Sequence, residues 1–164
     1  MTAIPTSSIP ETRNVPALIG WLLLCFVPAA TAIYVSTGGW YAALNKPAWN
    51  PPPWIFGPVW STLYAMMAVA AWLVWREGGW KWQGLALGIF MIQWLLNALW
   101  TPLFFGMHRP GLAFAEIIAL WLAITVTLLL FWRARPLAGL LLTPYLAWVS
   151  FAAFLNFTIW RLNP

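Results

Sequence analysis

Long apolar stretches separated by short polar turns dominate the chain. Five such stretches occur, over residues 15–35, 54–75, 82–105, 110–132 and 136–160. An α-helix rises about 1.5 Å per residue, so each is long enough to cross roughly 30 Å of hydrocarbon. Open sheet edges cannot face lipid. The pattern therefore predicts an all-α membrane protein, a bundle of five transmembrane helices forming one domain over residues 15–164, preceded by a flexible tail, 1–14.

Prolines, glycines and charges mark the ends of these stretches. Arg76-Glu77-Gly78-Gly79 is typical of a helix end followed by a turn, and Pro102 is expected to break the third helix near its end. Pro28 lies inside the first stretch, where neighbouring helices can satisfy the freed carbonyl, so a kink is expected there. A signal peptide ending at Ala32 is the alternative for this stretch, but its leading segment has no net positive charge.

The composition is that of a protein in a lipid bilayer, and it limits the kinds of catalytic and metal-binding sites that the chain can form. It is 63% hydrophobic and 7% charged, with a mean hydropathy of +0.79. It has 15 tryptophans but only 3 acidic residues, one histidine and the single Cys25. We therefore expect no intrachain disulfide, no metal site and no obligatory cofactor, and no motif of a hydrolase or a transferase occurs.

The cations mark membrane loops and do not form a nucleic-acid surface, because they stand singly or in close pairs between apolar runs. Five lie on the side of the N-terminus and three on the other. The positive-inside rule then favours a cytoplasmic N-terminus, and a bacterial membrane is the expected location. The two sets are Arg13, Arg76, Lys81, Arg133 and Arg135 against Lys46, Arg109 and Arg161.

The loop over residues 36–53 combines prolines with aromatic residues. The segment from Trp40 to Trp60 holds five prolines, which remove backbone donors, so a largely irregular, semi-rigid loop is predicted. Its rings, including Trp54, should pack back on the protein. Two interpretations stay open: a lid over a cavity, or an aromatic belt at headgroup level. The candidate lid residues are Trp40, Pro47, Trp49, Pro51 and Pro52.

Three helices carry polar and aromatic residues on one face at helical spacing. Such walls suit a flat apolar ligand with a polar edge, although helix packing explains the same pattern. The faces are Trp60, Tyr64 and Met67; Gln93, Asn97 and Trp100; and Tyr145, Trp148, Ala152 and Asn156.

Two further features have open interpretations. Glu116 is the only acid within a predicted helix, within two turns of its start, where a structural role is favoured over a functional one. Gly84 and Gly88 form a small-xxx-small motif that permits close helix contact. That contact is either a homodimer interface or packing within the chain.

Three motifs resemble the tryptophan-rich sensory protein/translocator protein family (TspO/MBR, the peripheral-type benzodiazepine receptors). They are WYAALNKPAWNPPPW with FGPVW, then QWLLNALWTPLFFG, then PYLAWVSFAAFLNFTIWRLN, and the resemblance covers residues 15–163. It implies a five-helix fold, commonly dimeric, with a cavity under the first loop for porphyrins such as protoporphyrin IX and for isoquinoline or benzodiazepine drugs.

The resemblance also implies roles for particular residues. Trp60 and Trp148 match two tryptophans implicated in light-dependent porphyrin breakdown in bacterial members, and Tyr41 matches a loop tyrosine near the ligand. Asn97 and Trp100 match the pocket wall, and Ala152 matches a small residue whose enlargement alters binding. Together with Tyr64 from its helix face, these are the candidate site residues.

Two departures from the animal members concern ligand choice. Phe157 replaces the central tyrosine of their proposed sterol motif, and Leu112 replaces an aromatic residue early in helix four. The hypotheses are therefore a tetrapyrrole-binding sensory protein, an enzyme of porphyrin photo-oxidation, or a transporter of porphyrin or sterol-like lipophiles. Membrane lipid and a second copy of the chain are the expected further partners.

Overall fold

The computed structural model describes residues 14–34 and 38–164, and no strand occurs among them. The tail proposed for residues 1–14 lies almost wholly outside this part. Helices occupy the apolar stretches and the start of the loop. They are α1 Asn14–Tyr34, α2 Gly38–Ala43, α3 Phe56–Arg76, α4 Gly79–Thr101, α5 Pro110–Ala134 and α6 Pro136–Leu162, with a 3-10 turn at Pro53–Ile55 and a π-helical turn at Pro102–Gly106.

Four of these segments are long and apolar enough to cross a membrane: Pro53–Arg76, Gly79–Gly106, Pro110–Ala134 and Pro136–Leu162. A shorter apolar helical stretch covers Asn14–Ala30. The all-helical prediction is confirmed for the described residues. The chain is thus an integral, multi-pass membrane protein.

The five long helices form a ring in the order α1, α3, α6, α5, α4. Helix α5 packs along α4 and α6, α3 packs along α1 and α6, and α4 contacts both α1 and α3. The main core includes Met67, Phe90, Leu120 and Tyr145, all almost fully buried. A smaller cluster around Phe104 and Ile159 lies where the loop folds over the end of the bundle, with Trp40 and Tyr41 packed on it. The loop therefore has a hydrophobic floor.

Helix α1 continues through Pro28, as the sequence predicts. A proline has no N–H, so the carbonyl four residues earlier, on Leu24, loses its helical donor. The indole Nε1–H of Trp94 on α4 donates to that oxygen at 2.9 Å. Another indole, Trp72 on α3, donates to the Asn14 carbonyl at 2.9 Å. Two tryptophans thus attach α1 to the bundle.

The end of α4 differs from the prediction, because Pro102 does not break the helix. It has helical angles, φ −56° and ψ −40°, and begins the π-helical turn. The wider turn is closed by the Met107 N–H, which donates to the Pro102 carbonyl at 2.8 Å. Because proline lacks the N–H that would bond the Ala98 carbonyl, the α-helical pattern is interrupted here, and a π-type turn is a local adjustment that accommodates such an interruption.

An ion pair joins the two turns at the opposite end of the bundle. Arg135 Nη1 lies 2.9 Å from Glu77 Oε1, linking the α3–α4 turn to the α5–α6 turn. Both side chains are about two-fifths exposed. Solvent screening limits such a pair to about 0–1 kcal/mol, so the pair sets the relative position of the turns more than it stabilises the fold.

Candidate functional site

A cavity of about 540 Å³ lies within the helix ring, beneath the loop. Its wall includes residues from α1, the loop, α3, α4 and its π-helical turn, α5 and α6. The exposed members Pro53, Gly57 and Ser61 mark the side where it reaches the surface, at the start of α3. The volume falls in the range of small-molecule sites, roughly 300–1,000 Å³.

Every residue predicted from the sequence to bind ligand lies in the wall of this cavity. Trp60 and Trp148 come from α3 and α6, so the two candidate photochemical residues border one space. The full predicted set is Tyr41, Trp60, Tyr64, Asn97, Trp100, Trp148 and Ala152.

Aromatic contacts fix the orientation of the three wall tryptophans. Trp60 stacks on Tyr64, with ring centroids 5.3 Å apart and planes at 29°. Trp100 stacks on Phe104 at 5.0 Å and 19°, and Trp148 contacts Phe56 edge-on at 5.9 Å. Such pairs each contribute about 0.5–1.5 kcal/mol beyond area burial, so the wall is held in place before any ligand arrives.

A buried hydrogen-bond chain crosses from α3 through α4 to α6. The Tyr64 hydroxyl donates to Asn97 Oδ1 at 3.1 Å, and Asn97 Nδ2 donates to the Tyr145 hydroxyl at 3.1 Å. The Tyr145 hydroxyl in turn donates to Gln93 Oε1 at 3.0 Å. Both ends of the Asn97 amide are therefore engaged. Gln93 itself does not line the cavity, and its Nε2 has no partner.

A second polar connection holds Trp100. Its indole N–H donates to Asn156 Oδ1 at 3.1 Å, and Asn156 Nδ2 donates to the Pro110 carbonyl at 2.8 Å. The bond fixes the indole plane against α6. The second bond also ties α6 to the first turn of α5.

The loop packs on the bundle through its aromatic residues. Trp40 stacks on His108 at 4.3 Å and 21°, and Tyr41 lies edge-on to Phe105 at 5.3 Å. The Tyr41 hydroxyl donates to Asn50 Oδ1 at 3.3 Å. Burial raises the pKa of Tyr41 above its ordinary value, which the bond to Asn50 partly offsets, so the hydroxyl stays neutral at physiological pH.

Lys46 is committed to the loop backbone. Its Nζ donates to the carbonyl oxygens of Tyr41, Ala42 and Leu44 at 2.6, 3.2 and 3.0 Å, and it lies 4.8 Å from the centre of the Tyr41 ring. An ammonium group has three donors, and all three are used. The side chain therefore closes the end of α2.

The loop is also tied to the end of α6 by Asn163. Its Oδ1 accepts the Asn45 backbone N–H at 3.0 Å, and its Nδ2 donates to the Asn45 carbonyl at 3.0 Å. The same Nδ2 donates to the Ile159 carbonyl at 2.8 Å. A single amide thus pairs both backbone groups of one loop residue, which we call the Asn45–Asn163 latch.

The candidate lid residues have different positions. Of the five, only Pro51 lines the cavity. Trp49 lies outside it, stacked on Phe154 of α6 at 5.3 Å and 13°. Trp40 packs on Phe104 and His108, while Pro47 and Pro52 are absent from the wall.

The prediction that the loop rings pack back is wrong for Trp54. That side chain is 73% exposed at the first turn after the prolines. Trp54 is thus exposed, as a belt residue would be, whereas Tyr41 lines the cavity, so the choice between a lid and an aromatic belt stays open.

Sequence reasoning missed several wall residues. Phe104 and Phe105 enter the wall from the π-helical turn, and Ile117 and Leu120 enter from α5. In a helix that is apolar all round, no contrast indicates which face points inward. The FF pair of the second motif was the one available signal.

The two open features are also resolved in part. Both carboxylate oxygens of Glu116 are buried without a hydrogen-bond partner. A Cβ built on Gly84 or Gly88 meets no atom within 4 Å, so this face of α4 makes no close packing within the described chain. In that part of the chain no three His, Cys, Asp or Glu side chains come together as metal ligands.

These features define a class, a helical multi-pass membrane protein with an aromatic-lined cavity whose wall includes residues of a folded loop. The sequence profile of the TspO/MBR family matches residues 15–161, and the chain belongs to that family. It is 48% identical over 148 residues to the tryptophan-rich protein TspO of Chlorobaculum tepidum, covering 89% of each chain.

Two further relatives come from other organisms. Protein CrtK of Rhodobacter capsulatus is 40% identical over 148 residues, which is 88% of this chain and 91% of that protein. The human translocator protein is 43% identical over 126 residues, which is 76% of this chain and 75% of that one. The family assignment and these relatives support a membrane sensory or translocator role.

Proposed function

We propose that the protein is a membrane-embedded binding and sensory protein for tetrapyrroles of the protoporphyrin IX class and for other flat lipophilic ligands. The observation that carries the proposal is that Trp60, Trp100 and Trp148 all border the same cavity. Indole faces stack on flat aromatic rings, and burial of a large apolar ring in such a space is favourable. Isoquinoline or benzodiazepine-type drugs and sterols are further candidate ligands.

The loop gives the site controlled access in this proposal. Tyr41 and Pro51 form part of the wall, while the rings of Trp40 and Trp49 and the Asn45–Asn163 latch fasten the loop to the bundle on several sides. A ligand entering past the loop must therefore break a few weak contacts, and a bound ligand is retained until they break again.

An absorbance titration tests the binding proposal. Purified protein in lipid nanodiscs is expected to shift and quench the Soret band of protoporphyrin IX at micromolar concentrations, relative to empty nanodiscs. The physical reason is transfer of the macrocycle from water into the aromatic wall. Identical spectra with protein-bearing and empty nanodiscs would contradict it.

A second candidate function is light-dependent porphyrin degradation, with dioxygen as the oxidant. Trp60 and Trp148 border the same cavity and are oxidisable, so an excited porphyrin held there would lie beside both. The double variant Trp60→Phe/Trp148→Phe keeps aromatic packing but removes the indoles. It is expected to bind porphyrin, but its rate of light-dependent porphyrin bleaching should fall at least about tenfold. A rate equal to that of the unchanged protein would remove these residues from the chemistry.

Transport of porphyrin or sterol-like lipophiles across the bilayer is the alternative function. The observation that favours it is the similarity to the human translocator protein. Sealed proteoliposomes loaded with protoporphyrin provide the test. Protein-dependent flux would support transport, whereas leakage equal to that of protein-free vesicles would leave binding and sensing.

The proposal includes the topology and assembly expected from the sequence. Helix α1 has 21 residues, or roughly 30 Å, and would be the fifth span. The N-terminus would face the cytoplasm of a bacterial cell and the loop the outside. The unpartnered face at Gly84 and Gly88 would contact a second copy in a homodimer, with lipid around the remainder.

A further inference from the structure

The cavity wall carries no formal charge. Among the described residues that line it, none is Asp, Glu, Lys, Arg or His. A carboxylate moved from water into such a space loses its hydration and gains no counter-ion, which is strongly unfavourable. Charge recognition by the wall itself is therefore absent from the described part of the site.

Lys46, the cation of the loop, is not free to pair with a ligand carboxylate either. Lys46 uses its three donors on the carbonyls of Tyr41, Ala42 and Leu44. To pair with a ligand acid it would have to abandon at least one of these bonds. Arg109 and Arg161 are exposed and are not part of the wall.

Both amide side chains of the wall are already hydrogen-bonded at their two ends, whereas Ser61, Thr101 and the indole N–H groups of Trp60 and Trp148 are single neutral donors. Asn97 bonds to Tyr64 and Tyr145 with its two ends, and Asn156 accepts from Trp100 and donates to Pro110. A carboxylate needs several convergent donors to replace its water. Releasing the two amides would break bonds between helices, and the remaining neutral donors of the wall supply no counter-charge.

We propose that the cavity takes the uncharged, flat part of its ligand, and that any carboxylate on the ligand stays outside the aromatic wall, in the water and headgroup region. This rests on the proposed binding function and names its ligand class. Porphyrins with acids on one edge qualify, because the opposite edge can enter. Porphyrins with carboxylates on every edge do not.

Three porphyrins that share one ring system test this directly. Protoporphyrin IX has two propionates on one edge, its dimethyl ester has no charge, and uroporphyrin has eight carboxylates around the ring. Affinities are measured by tryptophan quenching on the full chain in nanodiscs of zwitterionic lipid, with empty nanodiscs subtracted. The expected result is a dimethyl-ester Kd within about tenfold of the diacid Kd, and uroporphyrin weaker by more than about a hundredfold.

Two results would overturn the inference while the binding function stands. One is a dimethyl ester that binds more than about tenfold more weakly than the diacid. The other is uroporphyrin binding within about a hundredfold of the diacid. If none of the three binds above the empty-nanodisc signal, the proposed function fails and the inference fails with it.

The variant Lys46→Gln separates a structural lysine from a carboxylate partner. It is expected to change the Kd of diacid and dimethyl ester by the same factor, because loosening the loop affects both ligands alike. Arg161→Gln is the matched control for loss of one cation on the same side. Selective weakening of the diacid by more than about tenfold in Lys46→Gln alone would show that Lys46 meets the acid, and would contradict the inference.

Discussion

At the scale of single residues, Asn97 is the junction of the site. It faces the cavity and bonds to tyrosines from two other helices. The sequence placed Gln93, Asn97 and Trp100 on one face, and two of the three line the cavity. Gln93 lies deeper, where it accepts from Tyr145. Helical spacing predicted the face, but it could not give the depth of each residue, which depends on how α4 packs against α6.

Replacing Asn97 by leucine should destabilise the protein. Tyr145 keeps Gln93 as its acceptor, but the Tyr64 hydroxyl is left buried without one, at a cost of about 1–3 kcal/mol. That corresponds to a fall of about 2–12 °C in Tm. The Tm is measured by thermal unfolding in detergent. Leu99→Ala, on the exposed face of the same helix, is the control. A fall no larger than that of the control would contradict this role.

For Glu116 we expect the opposite effect of replacement on stability. Both of its carboxylate oxygens are buried and unpartnered, so the side chain costs free energy where it lies. Glu116→Met removes the buried polar atoms at similar length and should leave Tm equal or raise it by a few degrees. A clear fall in Tm would mean that the carboxyl has a stabilising partner, such as a bound water or ligand.

At the scale of elements, hydropathy and turn residues predicted the long helices to within a few residues, since burial in lipid leaves a strong pattern. Helix α2 and the π-helical turn at Pro102–Gly106 were not predicted. The π-helical turn depends on a contact distant in sequence, the packing of Phe104 on Trp40. Helix α2 is closed by the Lys46 side chain, which binds carbonyls two to five residues earlier, a contact that intrinsic helix propensity does not include. Local propensity cannot supply these.

The bond between Trp94 and Leu24 should depend on the proline in α1. In the unchanged chain Trp94→Phe leaves the Leu24 carbonyl without a donor. In a Pro28→Ala background the alanine N–H can donate to it instead. A double-mutant cycle measured by thermal unfolding tests this. Trp94→Phe is expected to lower the free energy of unfolding by about 1 kcal/mol less in the Pro28→Ala background than in the unchanged chain. Equal costs would argue that the carbonyl does not need the indole.

The Asn45–Asn163 latch should control loop opening. Asn163→Ala removes both bonds to the Asn45 backbone, so hydrogen exchange of residues 44–52 should accelerate. The association and dissociation rates of porphyrin should both rise, by more than the Kd changes. Arg161→Ala is the neighbouring exposed control. Unchanged exchange in Asn163→Ala would mean that the aromatic contacts alone hold the loop.

At the scale of the whole molecule, the central claim is that the space enclosed by the helix ring is the binding site. Motif resemblance assigned six of the candidate site residues and the helix face added Tyr64, and all seven lie in the cavity wall. These seven residues alone do not predict the volume of the cavity or the absence of charged side chains from its wall, because both properties depend on the complete set of residues that face inward. They become visible once all the helices are in place.

The most direct test fills that space from within. Ala152 lines the cavity, whereas Ala119 is exposed on the outer face of α5, so Ala152→Phe and Ala119→Phe add the same ring inside and outside. Protoporphyrin titrations in nanodiscs are compared after both variants are shown to retain a cooperative thermal transition. We predict a Kd weakened by more than about tenfold for Ala152→Phe and unchanged for Ala119→Phe. Equal affinity in the two variants would place the ligand elsewhere and contradict the account.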